Sequence, residues 1–368
     1  MRIAIDAREL AGQPTGVGRF LSEILREWAD MPEAKAHEFI FCAPADIARS
    51  KNRASENTAG TKVPAYEERV EAGSGTRWEQ RVLPRLARRA EADVLFCPGY
   101  TGPIWSDVPL VVAIHDVSFA AHPEWFRWRE GLRRRLVTRL AAARAARVIT
   151  ISEFSRREIA EHLGIPASKI EVVYPGASRP SGVQARGRER EPLILYVGSI
   201  FNRRHLPETI RGFARLTRRH PEARLAIVGD NRTVPHVNLD QVIESTDQRD
   251  RVTARSYVPD AELAELYGRA RAFVFLSEYE GFGLTPLEAL ASGIPIVVLD
   301  TAVAREVYGP AAFYVASPDP RLIERALEDV LYDESVRAGL LAAAPAVAAK
   351  YSWGACARGV LDVLVRTR

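Results

Sequence analysis

Between Ser277 and Gly293 the chain reads "SEYEGFGLTPLEALASG", with Glu280 and Glu288 on either side of Gly281, Phe282 and Gly283. Ionised carboxylates accept hydrogen bonds and repel phosphates, so two of them suit vicinal diols such as those of a ribose and a sugar ring. Glycines leave backbone N–H groups uncovered. Amides at the start of a helix hold phosphate, aided by the helix dipole. The run Gly281, Phe282, Gly283, Leu284, Thr285 leads into an apolar helix-like segment, with Pro286 in the first turn, where proline is tolerated. One segment can therefore grip sugar, phosphate and ribose in order. A carboxylate capping a helix would account for Glu280 but leaves Glu288 and both glycines unexplained.

Further polar residues follow other apolar runs. In "YVGSIFNRRHLPETI", Gly198 opens a loop and Arg203-Arg204 precede a helix. Two cations at a helix N-terminus oppose its dipole, a cost that makes sense if a multiply charged anion sits there, because arginine binds phosphate through paired, charge-assisted bonds. An exposed basic turn is the plainer alternative. "VVAIHDVSF" ends a buried run at His115-Asp116, either a substrate contact or a loop-closing pair. In "DARELAGQPTGVGRF", Pro14, Gly16 and Gly18 mark a loop before a helix, but Leu21 stands where a dinucleotide fingerprint needs its third glycine. Ser152 in "TISEFSRREI" reads as a helix cap.

These residues need elements to carry them. "RIAID", "EFIFCAP", "ADVLFCP", "LVVAIHD", "RVITIS" and "IEVVYPG" read as parallel strands covered on both faces, with helices predicted at Val17–Trp28, Trp78–Ala90, Trp125–Ala145 and Glu153–Leu163. After a charged, Gly/Pro-bearing stretch the alternation restarts. "LILYVG", "ARLAIVG", "RVTARSYV", "AFVFLS", "PIVVLD" and "AFYVA" are its strands, with helices from about Pro207, Asp260 and Thr285. The expectation is an α/β chain of two Rossmann-like doubly wound domains: 1–176, a linker over 177–192, and 193–350, followed by a C-terminal segment over 351–368 with helical spacing. Ligands of such sheets bind beyond the carboxyl ends of the strands, so Arg203-Arg204 and the His115 loop are expected to face the Glu280 segment across one cleft.

The bulk composition agrees. The chain has 368 residues, more than one core usually fills, with 47% hydrophobic and 27% charged residues. Its 51 Lys and Arg against 47 Asp and Glu give a net charge of +4, too small to imply nucleic acid. The 3 scattered cysteines fit no metal or redox spacing and suit a reducing compartment. "MRIAID" lacks the apolar core of a signal peptide, and no run approaches membrane-spanning length, so a cytoplasmic protein is expected. The stretch "WFRWREGLRRR", Trp125–Arg135, reads as an amphipathic helix with its aromatic side to the core; docking on anionic lipid heads is the alternative.

The chain resembles the retaining, nucleotide-sugar-dependent glycosyltransferases of the GT-B fold, family 4, of the bacterial surface-polysaccharide, mannosyltransferase-like type. The resemblance rests on "EGFGLTPLEALASGIP", which carries that family's E-x7-E motif, and on "TGVGRF", "HDVSFAAHPEWF", "TISEFSRREI", "VVYPGAS", "VGSIFNRRHL" and "YSWGACA". It implies that Glu280 contacts the donor sugar and Glu288 the ribose, that Gly281 to Leu284 offer amides to sugar and diphosphate, and that Arg203 and Arg204 hold the diphosphate. The family has Lys at the second of those positions, and His205 stands where Asn or Gly is common. His115 would lie near the donor sugar, and Gly16 and Gly18 near phosphate and acceptor. The resemblance also implies that the C-terminal helix over 351–368 packs back on the first domain. The resemblance implies GDP-mannose or a UDP-hexose as donor, a glycan or lipid-linked acceptor, peripheral membrane contact, and no metal or other cofactor. A two-Rossmann sugar-nucleotide epimerase and a non-catalytic nucleotide-sugar binder are the competing readings; the first lacks the glutamate motif in this context, and the second would bind ligand without turning over any acceptor.

Overall fold

A computed structural model describes residues 1–10, 16–45, 63–180, 182–183 and 190–367. Pro14 of the predicted N-terminal loop and 181 and 184–189 of the predicted linker lie outside these residues. The chain divides into two compact units, Met1–Gly176 with Ser352–Arg368, and Ala177–Tyr351.

The first unit holds a parallel sheet of β1 (Arg2–Asp6), β2 (Glu38–Pro44), β3 (Tyr66–Glu71), β4 (Val94–Cys97), β5 (Leu110–Ala113), β6 (Arg147–Thr150) and β7 (Ile170–Val172) in the order β3-β2-β1-β4-β5-β6-β7. The inner strands β4 and β5 are buried along their whole length, which is why they read as unbroken apolar runs. β3 escapes that pattern. Its sequence "YEERVE" is charged, and Tyr66 and Val70 are exposed, as suits an edge strand that must resist pairing with another chain.

The unit's helices are α1 (Val17–Asp30), α2 (Gly75–Arg81), α3 (Leu83–Arg89), α4 (Ser118–Ala121), α5 (Trp128–Arg144) and α6 (Glu153–Leu163). The single helix predicted over Trp78–Ala90 is in fact two, broken at Val82. Pro84 supplies the reason, since it has no N–H to bond the carbonyl four residues back. The helix predicted from Trp125 begins at Trp128, because Phe126 and Arg127 are extended. Its expected orientation is overturned as well. Gly131, Thr138, Ala141 and Ala142 face inward, and Trp128, Leu132, Leu136 and Leu140 are exposed. The small inward residues pack the helix close to its neighbours and leave no room for the large ones.

The second unit holds β8 (Glu191–Val197), β9 (Arg224–Val228), β10 (Val252–Arg255), β11 (Ala270–Phe275), β12 (Ile296–Leu299) and β13 (Ala312–Val315), all parallel, in the order β10-β9-β8-β11-β12-β13. Both sheets thus wind outward in two directions from a central pair, the Rossmann arrangement. β8 begins inside the predicted linker because Glu191 pairs with Ala270 in the ladder and its carboxylate takes two bonds, 2.9 and 3.0 Å, from Arg269. The helices here are α7 (Leu206–Leu216), α8 (Leu239–Ser245), α9 (Asp260–Arg269), α10 (Leu284–Ala291), α11 (Ala302–Tyr308), α12 (Pro320–Tyr332) and α13 (Glu334–Ala348).

The last helix, α14 (Trp353–Arg366), belongs to the first unit. Its Ala357 carbonyl accepts a 2.9 Å bond from the buried Trp28 indole of α1, and Trp353 stands edge-on to Phe20. Tyr351, predicted to go with that helix, stays with the second unit: its hydroxyl donates to the Val307 carbonyl and its ring meets Phe282 edge-on.

Candidate active site

In the second unit β8 and β11 are the pair at which strand order reverses, and open α/β sheets bind ligands beyond the carboxyl ends of such a pair. Arg203 and Arg204 follow β8, and Glu280 to Thr285 follow β11. Gly198 ends β8, its N–H bonded to the Val228 carbonyl. Gly229 follows β9, and a side chain there would overlap the Gly198 carbonyl oxygen, so glycine is required for the two strand ends to lie this close.

The chain then enters a short 3-10 turn, Asn202–Arg204. His205 separates that turn from α7 in the left-handed conformation, φ 49° and ψ 40°. That region favours Gly and Asn, the residues expected at this position from the family pattern. The imidazole is held by Glu278, with Nε2 2.8 Å from Oε1. Burial alone would lower its pKa, but the Glu208 and Glu278 carboxylates beside it hold it above the ordinary value.

Arg203 and Arg204 touch the Glu280 segment directly, within one unit, and do not face it across a cleft. Arg204 donates to Glu280 Oε1 from Nε at 2.9 Å, with Nη2 2.7 Å from the same oxygen, while Nη1 donates to the Ser199 carbonyl at 2.5 Å. Its guanidinium carbon also lies 4.6 Å from the Phe275 ring centroid. Burial by itself would lower the Arg204 pKa; the Glu280 carboxylate outweighs it and keeps the charge fixed. Ser277 Oγ adds a third bond to Glu280 Oε1, at 2.8 Å. Every bond between Glu280 and these neighbours converges on Oε1, and Oε2 is left for a further donor. Arg203 lies over the Phe201 ring at 4.3 Å and donates to the Tyr279 carbonyl, while its own carbonyl accepts from the Glu278 N–H. The two loops are thereby stitched together.

Beyond Glu280 the backbone is tightly placed. Gly281 is buried, and the Phe282 ring is core, so only the Phe282 backbone can serve a ligand. Gly283 has φ 94° and caps α10 without any side-chain bond. An added Cβ would strike Tyr308 Oη, whose hydroxyl donates to the Gly283 carbonyl at 2.9 Å. The first amides of α10, at Leu284 and Thr285, have no capping side chain to satisfy them, and are the unpaired donors every helix start presents. Glu288 sits one turn further on. Sequence reasoning treats its carboxylate as open to ligand; it is 4% exposed, on the inner side of α10.

In the first unit His115 follows β5 and is buried. Its Nε2 lies 2.9 Å from the Pro98 carbonyl oxygen, an acceptor only, so Nε2 carries the proton and Nδ1 offers a lone pair. Burial lowers its pKa, so the ring is neutral. Asp116 is not paired with His115. It accepts from the Tyr100 hydroxyl at 2.8 Å and from the N–H of Ser118, the first residue of α4, at 2.9 Å. Gly16 is the N-cap of α1, again without a side-chain bond, and Gly18 is buried in the first turn. Phe20, from the next turn, meets the His115 ring edge-on at 4.9 Å. Ser152 caps α6 through the Ser155 N–H.

Arg203, Arg204, Gly198, Glu280, the 281–285 run and Glu288 thus belong to one unit, and His115, Gly16 and Gly18 to the other. Sequence reasoning missed Ser199, Ser277, Gly229 and Tyr308. Ser277, three residues before Glu280 at the strand end, carried a usable local signal. Tyr308, far along the chain, carried none.

Doubly wound sheets with anion-ready groups at their carboxyl edges define a nucleotide-handling α/β protein. The family "Glycosyltransferase Family 4" matches residues 14–178, and "Glycosyl transferases group 1" matches 183–346. The chain belongs to the family 4, group 1 glycosyltransferases and has their GT-B fold. Among its relatives, the O-antigen chain mannosyltransferase RfbU of Salmonella typhimurium is 27% identical over 60% of each chain. The O-antigen chain mannosyltransferase B of Escherichia coli is 29% identical over 67% of each. The match therefore spans under two thirds of the first relative's length. Anabaena Alr3699/HepE, solved with UDP and glucose, superposes over the full length of both chains with TM-score 0.73 at 18% identity. WaaG, a glycosyltransferase involved in lipopolysaccharide biosynthesis, covers 99% of each chain with TM-score 0.70 at 16% identity.

Proposed function

We propose that the chain is a retaining glycosyltransferase that moves a hexose from a nucleoside diphosphate sugar to a hydroxyl of a glycan or lipid-linked acceptor. The observation that carries this reading is the meeting of Arg204 with Glu280, and of Arg203 with the Tyr279 carbonyl, at the β8/β11 carboxyl ends, directly before the uncapped start of α10. The donor's anomeric C–O bond breaks, leaving an oxocarbenium-like carbon and a diphosphate. Arg203, Arg204 and the amides from Gly281 to Thr285 stabilise the charge growing on that diphosphate, which is electrostatic preorganisation. Glu280 Oε2 accepts from a donor-sugar hydroxyl, and Glu288 binds the ribose diol. His115, neutral with a free Nδ1 lone pair, accepts from a sugar hydroxyl. The acceptor oxygen attacks on the face the diphosphate leaves, and its proton passes to the leaving phosphate oxygen.

The relatives named as mannosyltransferases support GDP-mannose, and the neighbour solved with UDP and glucose supports a UDP-hexose. A thermal-shift screen against UDP, GDP and their sugars selects between them, since a bound ligand raises apparent stability. Mass spectrometry of an acceptor mixture then detects a new glycosidic bond. Nucleotide binding without such a bond for any acceptor defeats the transferase reading. Arginine and backbone amides carry the diphosphate charge in this scheme, so turnover is expected to survive excess EDTA; a loss restored by Mg²⁺ overturns that point. Among the described residues no helix is long and apolar enough to cross a membrane. The proposed place of action is the cytoplasmic side of the membrane, where nucleotide sugars are made, and cell fractionation tests it.

A further inference from the structure

The second unit holds a cavity of 480 Å³ at the edge of its sheet opposite the candidate active site. α7 and α8 each leave the carboxyl end of a strand and run back along the sheet, so their last turns lie at its amino edge. Arg211, Arg215 and Arg218 come from the end of α7, and Arg251 directly precedes β10. A strand's length, about 15 Å, separates this edge from the one that carries Arg203 and Glu280. Two of the four arginines are already neutralised, Arg211 by Glu208 at 3.1 Å and Arg215 by Glu324 at 2.6 Å. The other two are not. Among the described residues Arg218 meets no carboxylate, and Arg251 donates to the Pro221 carbonyl at 3.0 Å without an acidic partner.

The arginines are not called on to cap the two helix ends. The Thr217 hydroxyl donates to the Ala214 carbonyl at 3.0 Å, and those of Ser245 and Thr246 each donate to the Val242 carbonyl at 2.9 Å. Those hydroxyls have spent their hydrogens, so they offer the cavity only lone pairs. Asp247 lines the same cavity, in the left-handed conformation at φ 56°, a position that commonly falls to glycine at a helix end. Among the described residues its carboxylate has no partner, although Arg218 and Arg251 share the cavity with it. The walls thus combine cationic donors with groups that only accept. We propose that this cavity binds a sugar phosphate, its phosphate on Arg218 and Arg251 and its hydroxyls donating to Asp247 and to the Ser245 and Thr246 oxygens. A bare phosphate would answer the arginines but be repelled by Asp247 and by the carbonyl ends of two helices. A neutral sugar would leave the arginines unanswered. A hexose phosphate satisfies both, and the cavity falls in the size range of small-molecule sites.

The site does not depend on the transferase reading, and it is tested apart from nucleotide binding. Calorimetry on the full chain compares mannose 6-phosphate and glucose 6-phosphate with inorganic phosphate and free glucose. At least one hexose phosphate is expected to bind more tightly than either phosphate or glucose. Arg218→Glu should weaken that binding roughly tenfold or more. Asp247→Asn keeps a residue suited to the left-handed backbone; it should weaken the hexose phosphate and leave inorganic phosphate as tight or tighter. Arg203→Ala, at the opposite edge, should leave the hexose phosphate affinity unchanged. Arg218 and Asp247 are exposed, so both variants should fold, and a cooperative thermal melt verifies it. Absence of hexose phosphate binding overturns the proposal. So does binding that Arg203→Ala abolishes and Arg218→Glu retains, which puts the ligand at the donor edge, or binding no tighter than that of inorganic phosphate and indifferent to Asp247→Asn.

Discussion

Arg204 and Glu280 are joined through a single carboxylate oxygen: Oε1 of Glu280 lies 2.9 Å from Nε and 2.7 Å from Nη2 of Arg204. The pair is largely buried, with 11% and 18% of the two side chains exposed. It holds the loop after β8 to the loop after β11, and in the proposed reaction it fixes a positive charge beside the diphosphate. Arg203, its neighbour, lies over the Phe201 ring and donates to the Tyr279 backbone carbonyl. The two arginines should therefore separate on substitution. Arg204→Met leaves a buried carboxylate without its partner and should cost about 3 kcal/mol of stability as well as turnover. Arg203→Ala should lower kcat sharply with a smaller loss of stability than Arg204→Met, since its side chain lies over a ring and donates to a backbone carbonyl. Thermal melts beside steady-state kinetics decide this, and an Arg203→Ala enzyme with full activity removes that residue from the mechanism.

Glu288 is the test of the ribose contact. Because it is nearly buried, the isosteric Glu288→Gln is the cleaner probe, changing charge with little change in packing. A charge-assisted bond is stronger than its neutral counterpart, so nucleoside diphosphate affinity should fall roughly tenfold. Calorimetry with UDP and GDP measures this, and an unchanged dissociation constant would refute the contact.

Gly283 is held in place by backbone angle and by contact together. Gly283→Ala forces a side chain into φ 94° and into Tyr308 Oη. A loss of about 1–3 kcal/mol is expected, with displacement of the α10 amides and a matching loss of nucleotide binding. Adding Tyr308→Phe removes the struck oxygen, and the double variant should recover part of the stability. Denaturant melts of the four proteins form a double-mutant cycle. Strict additivity would show that the Tyr308 hydroxyl is not the obstacle.

Two histidines should drive stability in opposite directions with pH. The folded state raises the pKa of His205 above 6.5, so its contribution is complete below pH 6.5 and is lost as pH climbs through the higher folded value. The folded state lowers the pKa of His115, so the neutral ring contributes fully above pH 6.5 and that contribution is lost as pH falls through the depressed value. The stability gap between wild type and His205→Asn should narrow as pH rises. The gap for His115→Asn should narrow as pH falls. Urea unfolding across a pH series reads both, and a His205 gap that widens with pH contradicts the Glu278 ion pair.

Sequence reasoning found the strands that are buried on both faces and several of the helices. β1, β2 and α6 match their predicted bounds residue for residue. It missed β3, whose charged edge sequence has no strand-like pattern, and it did not reach α8, α11, α12 or α13. It misjudged α5 because four leucine and tryptophan positions at helical spacing look the same whether they face a core or a partner. Only the neighbours of Gly131 and Ala141 decide which side is inward. In the candidate site, residue types and order were legible: Arg203, Arg204, Glu280 and the glycine run all stand at strand ends.

By itself, then, the sequence determined the kinds of element, the residues placed at their carboxyl ends and the family those residues mark. These follow from local backbone preference and burial period, which act over a few neighbouring residues. Tertiary structure alone decided that Arg204 rests on Glu280, that Tyr308 sits under Gly283, that Glu288 is covered and that the Trp28 indole of α1 donates to the Ala357 carbonyl of α14. Those pairings join residues far apart in the chain. They depend on close packing to within tenths of an ångström, for which no local pattern exists.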